Sequence, residues 1–153
     1  MGSIEEAEQQ LMFLREVQSA IIDKSPELLY LVAQLAWLKE RDSTTSMQTF
    51  TTVIDLHFKS LKGIPFGIEY FVKLCPDFLV DVAKEYLQHF GEEPIDQSTP
   101  IPECVQKASK LLEIVSKAVP GHRDALYLLA RTRFSFFFFL FSFFFFFFFF
   151  FLI

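Results

Sequence analysis

The helical spacing of its apolar residues is the feature that most limits what this chain can fold into. Between residues 4 and 133, apolar side chains recur three, four or seven positions apart, beginning with Ile4 and Leu11. This spacing places them on one face of an α-helix. No segment alternates apolar and polar residues between two turn signals, and even the β-branched stretch 49–53 keeps the helical period. The pattern predicts an all-α fold of antiparallel helix pairs with mostly short connections.

Proline, glycine and capping residues mark where these helices begin and end. Ser25 is suited to cap a helix that has Pro26 in its first turn, and Cys75-Pro76-Asp77 opens another. Loops are expected at 62–67 and 91–102, where glycine and proline concentrate. The predicted helices cover about residues 4–21, 26–40, 44–61, 76–90, 103–119 and 124–134.

An internal repeat organises the predicted helices. Three of them carry a bulky residue, an apolar residue three positions later and an aromatic residue four after that, and the first members lie 49 and 48 residues apart. We call these the opening sets: Tyr30/Ala33/Trp37, Leu79/Val82/Tyr86 and Tyr127/Ala130/Phe134. The partner helices carry a small, a bulky and an apolar residue at spacings of four and three. We call these the closing sets: Ala7/Leu11/Leu14, Ser46/Phe50/Val53 and Ala108/Leu112/Val115, the last followed by Pro120.

In a tetratricopeptide-type solenoid, a small residue lets two helix axes approach and an aromatic ring fills the space between them. We therefore expect the residues of both sets, with Pro120, to serve repeat packing. Residues 26–61 would form one helix pair and 76–119 a second. The first helix and residues 124–134 would be halves of interrupted repeats. A generic helical bundle is the alternative, because every amphipathic helix shows this spacing.

Charge and cysteine content exclude several classes of protein. The chain has 14 basic and 19 acidic residues, a net charge of −5, so the clustered cations of a nucleic-acid-binding protein are missing. Two cysteines do not make a disulfide scaffold. The acidic start, Met1–Gln10, does not match a secretory signal, and the cytosol is the expected compartment.

No residue pattern predicts catalysis, a cofactor or a metal site. The histidines are widely spaced, the cysteines form no CxxC motif, and nucleotide-binding or hydrolase motifs do not occur. Three carboxylates at four-residue spacing fit a solvated helix face better than an acid–base pair. We expect a protein that is not an enzyme. His57, His89 and His122 are expected at the surface or at loop ends, Cys75 and Cys104 as structural thiols, and Asp77, Asp81 and Glu85 as a solvated acidic stripe.

The last twenty residues, 134–153, differ from the rest of the chain. They contain fifteen of its 22 phenylalanines, and otherwise only serine, leucine and isoleucine. We divide the chain into a helical-repeat segment, 1–133, and this apolar tail. Twenty apolar residues in a helix span about 30 Å, the thickness of a bilayer core, so the tail fits a membrane anchor. The tail also fits translation of a pyrimidine-rich intron, because phenylalanine codons contain only pyrimidines. We favour this intron origin over a membrane anchor.

Specific strings in the body resemble one known family. They are EAEQQL at 6–11, KSPELLYL at 24–31, HFKSLKGIPFGIEYFVKLCPD at 57–77 with its sequel Phe78-Leu79, EYL at 85–87, and LLEIVSKAVPGHRDALYLLARTRF at 111–134. Over about residues 3–134 the chain resembles the tetratricopeptide repeat protein 21 family. The GIPFGIEYF stretch carries most of this resemblance, because a repeat consensus would not produce it.

The resemblance implies a function as well as a fold. Members of that family are long helical-repeat subunits of intraflagellar transport complex A, which supports retrograde transport in cilia. It implies a non-catalytic scaffold with protein partners, the other complex A subunits, located in the cytoplasm, the cilium and the ciliary base. It also implies that the chain is an internal fragment whose end has been replaced. The alternative is a tail-anchored membrane protein with a cytosolic helical domain.

Overall fold

The computed structural model describes residues 2–22, 25–90 and 101–133, and these are helical or in short connections, without a strand. The all-α prediction is confirmed. Residues 123–133 form α7, the last helix within the described residues. The other α-helices are α1 Gly2–Ile22, α2 Pro26–Leu35, α3 Ser43–Ser60, α4 Ile68–Leu74, α5 Pro76–Phe90 and α6 Glu103–Ala118. Most of the expected loop at 91–102, Phe134 of the third opening set and the rest of the tail lie outside the described residues.

The chain divides into two compact units, Met1–Cys75 and Pro76–Ile153. The division falls between a cysteine with a left-handed backbone, φ 42°, and the proline that opens α5. A residue that precedes proline is pushed away from the α-helical region, so α4 has to end there. The first unit holds α1 to α4, and the second holds α5 to α7.

In the first unit, side-chain caps fix the starts of α2 and α3. The Ser25 hydroxyl accepts the Leu28 amide at 3.4 Å, and the Asp42 carboxylate accepts the Thr45 amide at 3.0 Å. Each cap satisfies a helix N–H group that has no partner within the helix. The hydrogen bonds from Thr45 also lower the pKa of Asp42. Both helices begin within one residue of the predicted starts at 26 and 44.

The end of α2 differs from the prediction. An α-helix was expected to continue to Glu40, but Ala36–Glu40 form a π-helical turn, and Arg41 then leaves the helix with φ 53°. The Arg41 guanidinium lies 5.4 Å from the centre of the Trp37 ring, within cation–π range. Hydrophobic spacing did not reveal this turn, because five residues are too few to show a change of helical period.

The core of the first unit lies mainly between α2 and α3. Ala33, Phe50 and Val53 are fully buried. The Tyr30 and Phe50 rings pack with centroids 5.7 Å apart. At the far end of α3, buried His57 places Nε2 2.9 Å from the Leu74 carbonyl, which holds α4 against the end of α3. The apolar spacing did not predict helix α4, because seven residues are too few to show a helical period.

The core of the second unit lies between α5 and α6. Leu79, Val82 and Tyr86 of α5 are fully buried, as are Ala108 and Leu112 of α6. The predicted pairs 26–61 and 76–119 are therefore both present. Polar contacts attach α7 to this pair: Lys84 contacts Asp124 at 3.6 Å, and Arg133 donates to Glu113 at 2.8 Å.

Candidate interaction surfaces

Most residues of the opening and closing sets lie inside the two helix pairs. Tyr30 and Trp37 are partly buried, and the chain packs small residues where the helix axes meet. The fully buried members are Ala33, Ser46, Phe50, Val53, Leu79, Val82, Tyr86, Ala108, Leu112 and Val115. A protein-binding role for these side chains is excluded while the pairs stay folded, since none of them reaches the surface.

The remaining described members lie at or near the surface of the structure, and their role in repeat packing stays a prediction. Ala7, Pro120, Tyr127 and Ala130 are exposed, and Leu11 is only partly buried. Pro120 lies two residues after Ala118, the last residue of α6, at a position where proline prevents the helix from continuing.

Helix α7 explains why its set is exposed. It buries Ala125, Leu128, Leu129 and Thr132. At 100° per residue, Tyr127 and Ala130 lie on roughly the opposite side of the helix. The spacing of apolar residues predicts that a helix has apolar faces, but it does not predict which of them packs against a neighbouring helix.

A second exposed apolar surface surrounds the start of α4, and we call it the α4 patch: Phe66, Ile68, Tyr70, Phe71 and Val72. Phe66 is 80% exposed, Ile68 86% and Val72 72%. The Phe66 ring lies 5.4 Å from Tyr70 and 5.0 Å from Phe71, so the aromatic rings contact one another. Contiguous exposed apolar side chains of this kind are typical of protein-binding sites.

Four of the five residues of the α4 patch fall within the GIPFGIEYF stretch that carries most of the family resemblance, and Val72 follows it directly. Helical spacing did not select Phe66, Ile68 or Val72 as functional residues. The available signal was the large apolar residues on either side of Pro65 and Gly67, because turns are dominated by Gly, Pro, Asn, Asp and Ser.

The histidines have structural contacts. His57 bonds the Leu74 carbonyl, and His89 donates from Nδ1 to the Glu85 carbonyl at 2.7 Å. His122 accepts the Ala125 amide on Nδ1 at 3.3 Å, at the start of α7. Its Nε2 lies 3.0 Å from the Asp77 carboxylate, which fits a neutral ring that donates to Asp77. In the described part of the chain, no three His, Cys, Asp or Glu side chains are grouped to hold a metal ion.

The two cysteines and the acidic stripe of α5, which consists of Asp77, Asp81 and Glu85, also lie in environments that are usual for structural or surface residues. Cys75 is exposed, whereas Cys104 is partly covered, and burial raises the pKa of the Cys104 thiol. On α5, Lys84 bonds Asp81 at 3.0 Å, and this bond raises the pKa of the lysine. The acidic stripe therefore belongs to a surface network of charge pairs. Each pair of this kind contributes little to the free energy of unfolding.

Among residues 2–22, 25–90 and 101–133, no helix combines the length and the apolar character needed to cross a membrane. The tail, on which the membrane-anchor prediction rests, lies outside these residues.

Comparison with known proteins agrees with this architecture. A family model described as the second ARM domain of tetratricopeptide repeat protein 21 matches residues 1–135. Over 133 residues the chain is 38% identical to human tetratricopeptide repeat protein 21B, 39% to human 21A and 33% to 21B of Xenopus laevis. The matches cover 87% of this chain but only 10% of each relative.

The length of the repeats in this chain fits an ARM domain better than it fits tetratricopeptide repeats. Opening sets 49 and 48 residues apart are close to the 40–47 residues of HEAT and armadillo repeats and far from the usual 34. Armadillo repeats contain up to three helices, and α2, α3 and the short α4 supply three before α5 begins the next repeat.

Proposed function

Because the chain belongs to the tetratricopeptide repeat protein 21 family, we propose that it is a non-catalytic protein-interaction scaffold segment that acts in intraflagellar transport complex A. It would serve retrograde ciliary transport and cilium assembly, in the cytoplasm, the cilium and the ciliary base. Its partners would be other subunits of that complex. The chain spans about 10% of the length of its relatives, so the proposal concerns one segment of such a scaffold.

The observation that carries this proposal is the α4 patch. Phe66, Ile68 and Val72 are between 72% and 86% exposed, although burying each would gain about 1.5–3 kcal/mol. They do not serve the α2–α3 core. A partner that covers them would recover this free energy, and clustered aromatic anchors are what binding hot spots contain.

The chemistry-bearing residues support a role without catalysis. His57 and His89 hydrogen-bond main-chain carbonyls, and His122 contacts the first turn of α7. Each histidine thus has a structural task that accounts for its position. The Asp77 side chain is 90% exposed and contacts His122, and Asp81 pairs with Lys84, so both carboxylates belong to surface contacts and not to a buried acid–base pair.

The test is co-purification of the full chain with the other complex A subunits. We expect Phe66→Asp and Ile68→Asp to reduce the amount bound at least about tenfold, since two apolar anchors would be lost. The control is Met12→Asp, which places the same charge on an apolar residue that is 59% exposed on α1. The proposal would be overturned if all the variants bound as much partner as the unaltered chain does. It would also be overturned if the unaltered chain bound no partner.

A further inference from the structure

The α4 patch has a charged rim as well as an apolar centre. Lys59 lies in the last turn of α3 and Lys62 in the turn that follows it, and both residues are exposed. Their main chains are joined, because the Lys62 amide donates to the Lys59 carbonyl at 3.2 Å. Phe66 follows Lys62 by four residues, which span at most about 14 Å between Cα atoms. One bound peptide can therefore contact the two lysines and the aromatic centre together.

No acidic side chain pairs with these two lysines in the part of the chain that the structure describes. The next lysine along the chain is different, because Lys73 contacts Glu69 at 3.6 Å. Asp55 precedes His57 on α3, and so lies beyond the contact that joins this helix to the end of α4. The whole chain has 14 basic and 19 acidic residues. An excess of positive charge beside the α4 patch is therefore opposite in sign to the chain as a whole.

We propose that the α4 patch binds an acidic segment of a protein partner, one that carries large apolar side chains between aspartates or glutamates. The inference deepens the proposed function and rests on it, because it takes the α4 patch as the binding surface. The apolar side chains of the segment would cover Phe66, Ile68 and Val72, which are at least 72% exposed. Its carboxylates would pair with Lys59 and Lys62. Complementary charges of this kind select partners and speed their association.

The arrangement of charge on α4 favours a peptide over an anionic membrane surface. Ile68 and Val72 lie one helical turn apart, on one side of the helix. The Glu69 side chain follows Ile68 directly and is 68% exposed, so an anionic membrane that received Ile68 would repel Glu69. A peptide can instead leave the pair of Glu69 and Lys73 in water at the edge of the contact.

Two labelled peptides test the proposal on the full chain. The acidic probe is a short synthetic peptide of leucine, phenylalanine and glutamate, and the basic probe has lysine at every glutamate position. Fluorescence anisotropy measures the Kd of each. We expect the acidic probe to bind at least about tenfold more tightly than the basic probe, because only its charges complement Lys59 and Lys62. The Kd of the acidic probe should also rise with salt concentration, since salt screens exposed charges.

Matched charge variants test whether the two lysines cause the preference. Lys59→Glu combined with Lys62→Glu should make the basic probe bind more tightly than the acidic one. The control combines Lys110→Glu with Lys117→Glu, which makes the same change in net charge at two exposed positions of α6 and should keep the original preference. Phe66→Asp should weaken binding of the acidic probe at least about tenfold, since an apolar anchor is lost. All five positions are exposed, so circular dichroism should show unchanged helicity.

Equal binding of the two probes by the unaltered chain would overturn the proposal, and so would failure of the acidic probe to bind. A preference lost equally in the α6 control would overturn it too, because net charge and not the rim would then decide. Flotation of the chain with vesicles of phosphatidylcholine and phosphatidylserine, without binding of the acidic probe, would overturn it in favour of a membrane surface. The co-purification test uses the complex A subunits themselves, so the proposed function can stand or fail separately from this inference.

Discussion

The Ser46 hydroxyl donates a hydrogen bond to the Ala33 main-chain carbonyl at 2.9 Å, and both residues are fully buried. This contact joins α2 and α3 inside the buried core of the first unit. A serine fits because it is small enough for the approach and satisfies its own polar group. At position 46, the closing set thus supplies both a side chain small enough for the two helices to approach and a hydrogen bond between them.

Enlarging Ser46 should damage the first helix pair. Ser46→Ala removes one buried hydrogen bond and should lower the free energy of unfolding by about 1 kcal/mol. Ser46→Leu adds three carbons between the two helices and should cost about 1–3 kcal/mol or more. Urea unfolding followed by circular dichroism measures both. Thr52→Ala on the exposed side of α3 is the control, and a similar loss in that variant would contradict a specific role for Ser46.

Two phenylalanines in the first unit should respond oppositely to truncation. Phe50 is fully buried between α2 and α3, so Phe50→Ala should lower the free energy of unfolding by about 3–5 kcal/mol. Phe66 is 80% exposed, so Phe66→Ala should change it by less than about 0.5 kcal/mol. Denaturant titration of both variants decides this. A large loss at Phe66 would mean that the α4 patch serves the fold and not a partner.

The Asp42 cap should make stability depend on acidic pH. Its pKa lies below the ordinary 3.8 in the folded chain because it accepts hydrogen bonds from Thr45. The cap therefore stabilises the fold fully above pH 3.8, and this stabilisation is lost as the pH falls through the lowered value. Asp42→Asn keeps a capping side chain but cannot titrate, so its urea midpoint should fall less between pH 5 and pH 3. Identical pH profiles for the variant and the unaltered chain would contradict this.

The two thiols should differ in reactivity. Cys104 is partly covered at the start of α6, and burial raises the pKa of its thiol, whereas Cys75 is exposed. The thiolate is the reacting form, so iodoacetamide at neutral pH should label Cys75 first. Peptide mass spectrometry measures each site, and the difference should vanish in strong denaturant. Faster labelling of Cys104 in the folded chain would refute the placement of α6.

The sequence predicted those helices whose first residues are marked by proline or by a capping side chain. Pro26 and Pro76 open helices as expected, and Asp42 caps α3. It did not predict the π-helical turn before Arg41, because five residues are too few to show a change of helical period. The exposure of Tyr127 and Ala130 was also not predicted, because periodicity identifies an apolar face without identifying its neighbour. The α4 patch was not predicted as a surface because Phe66 and Ile68 lie in and beside an expected loop, where helical spacing does not apply.

Hydrogen exchange of the full chain, alone and with the other complex A subunits, tests the central claim most directly. If the α4 patch is where this scaffold segment binds its partners, amide exchange across residues 64–74 should slow on binding, while exchange in the α5–α6 pair stays unchanged. Slowed exchange confined to other segments, or no change anywhere in the chain at saturating partner, would contradict the account.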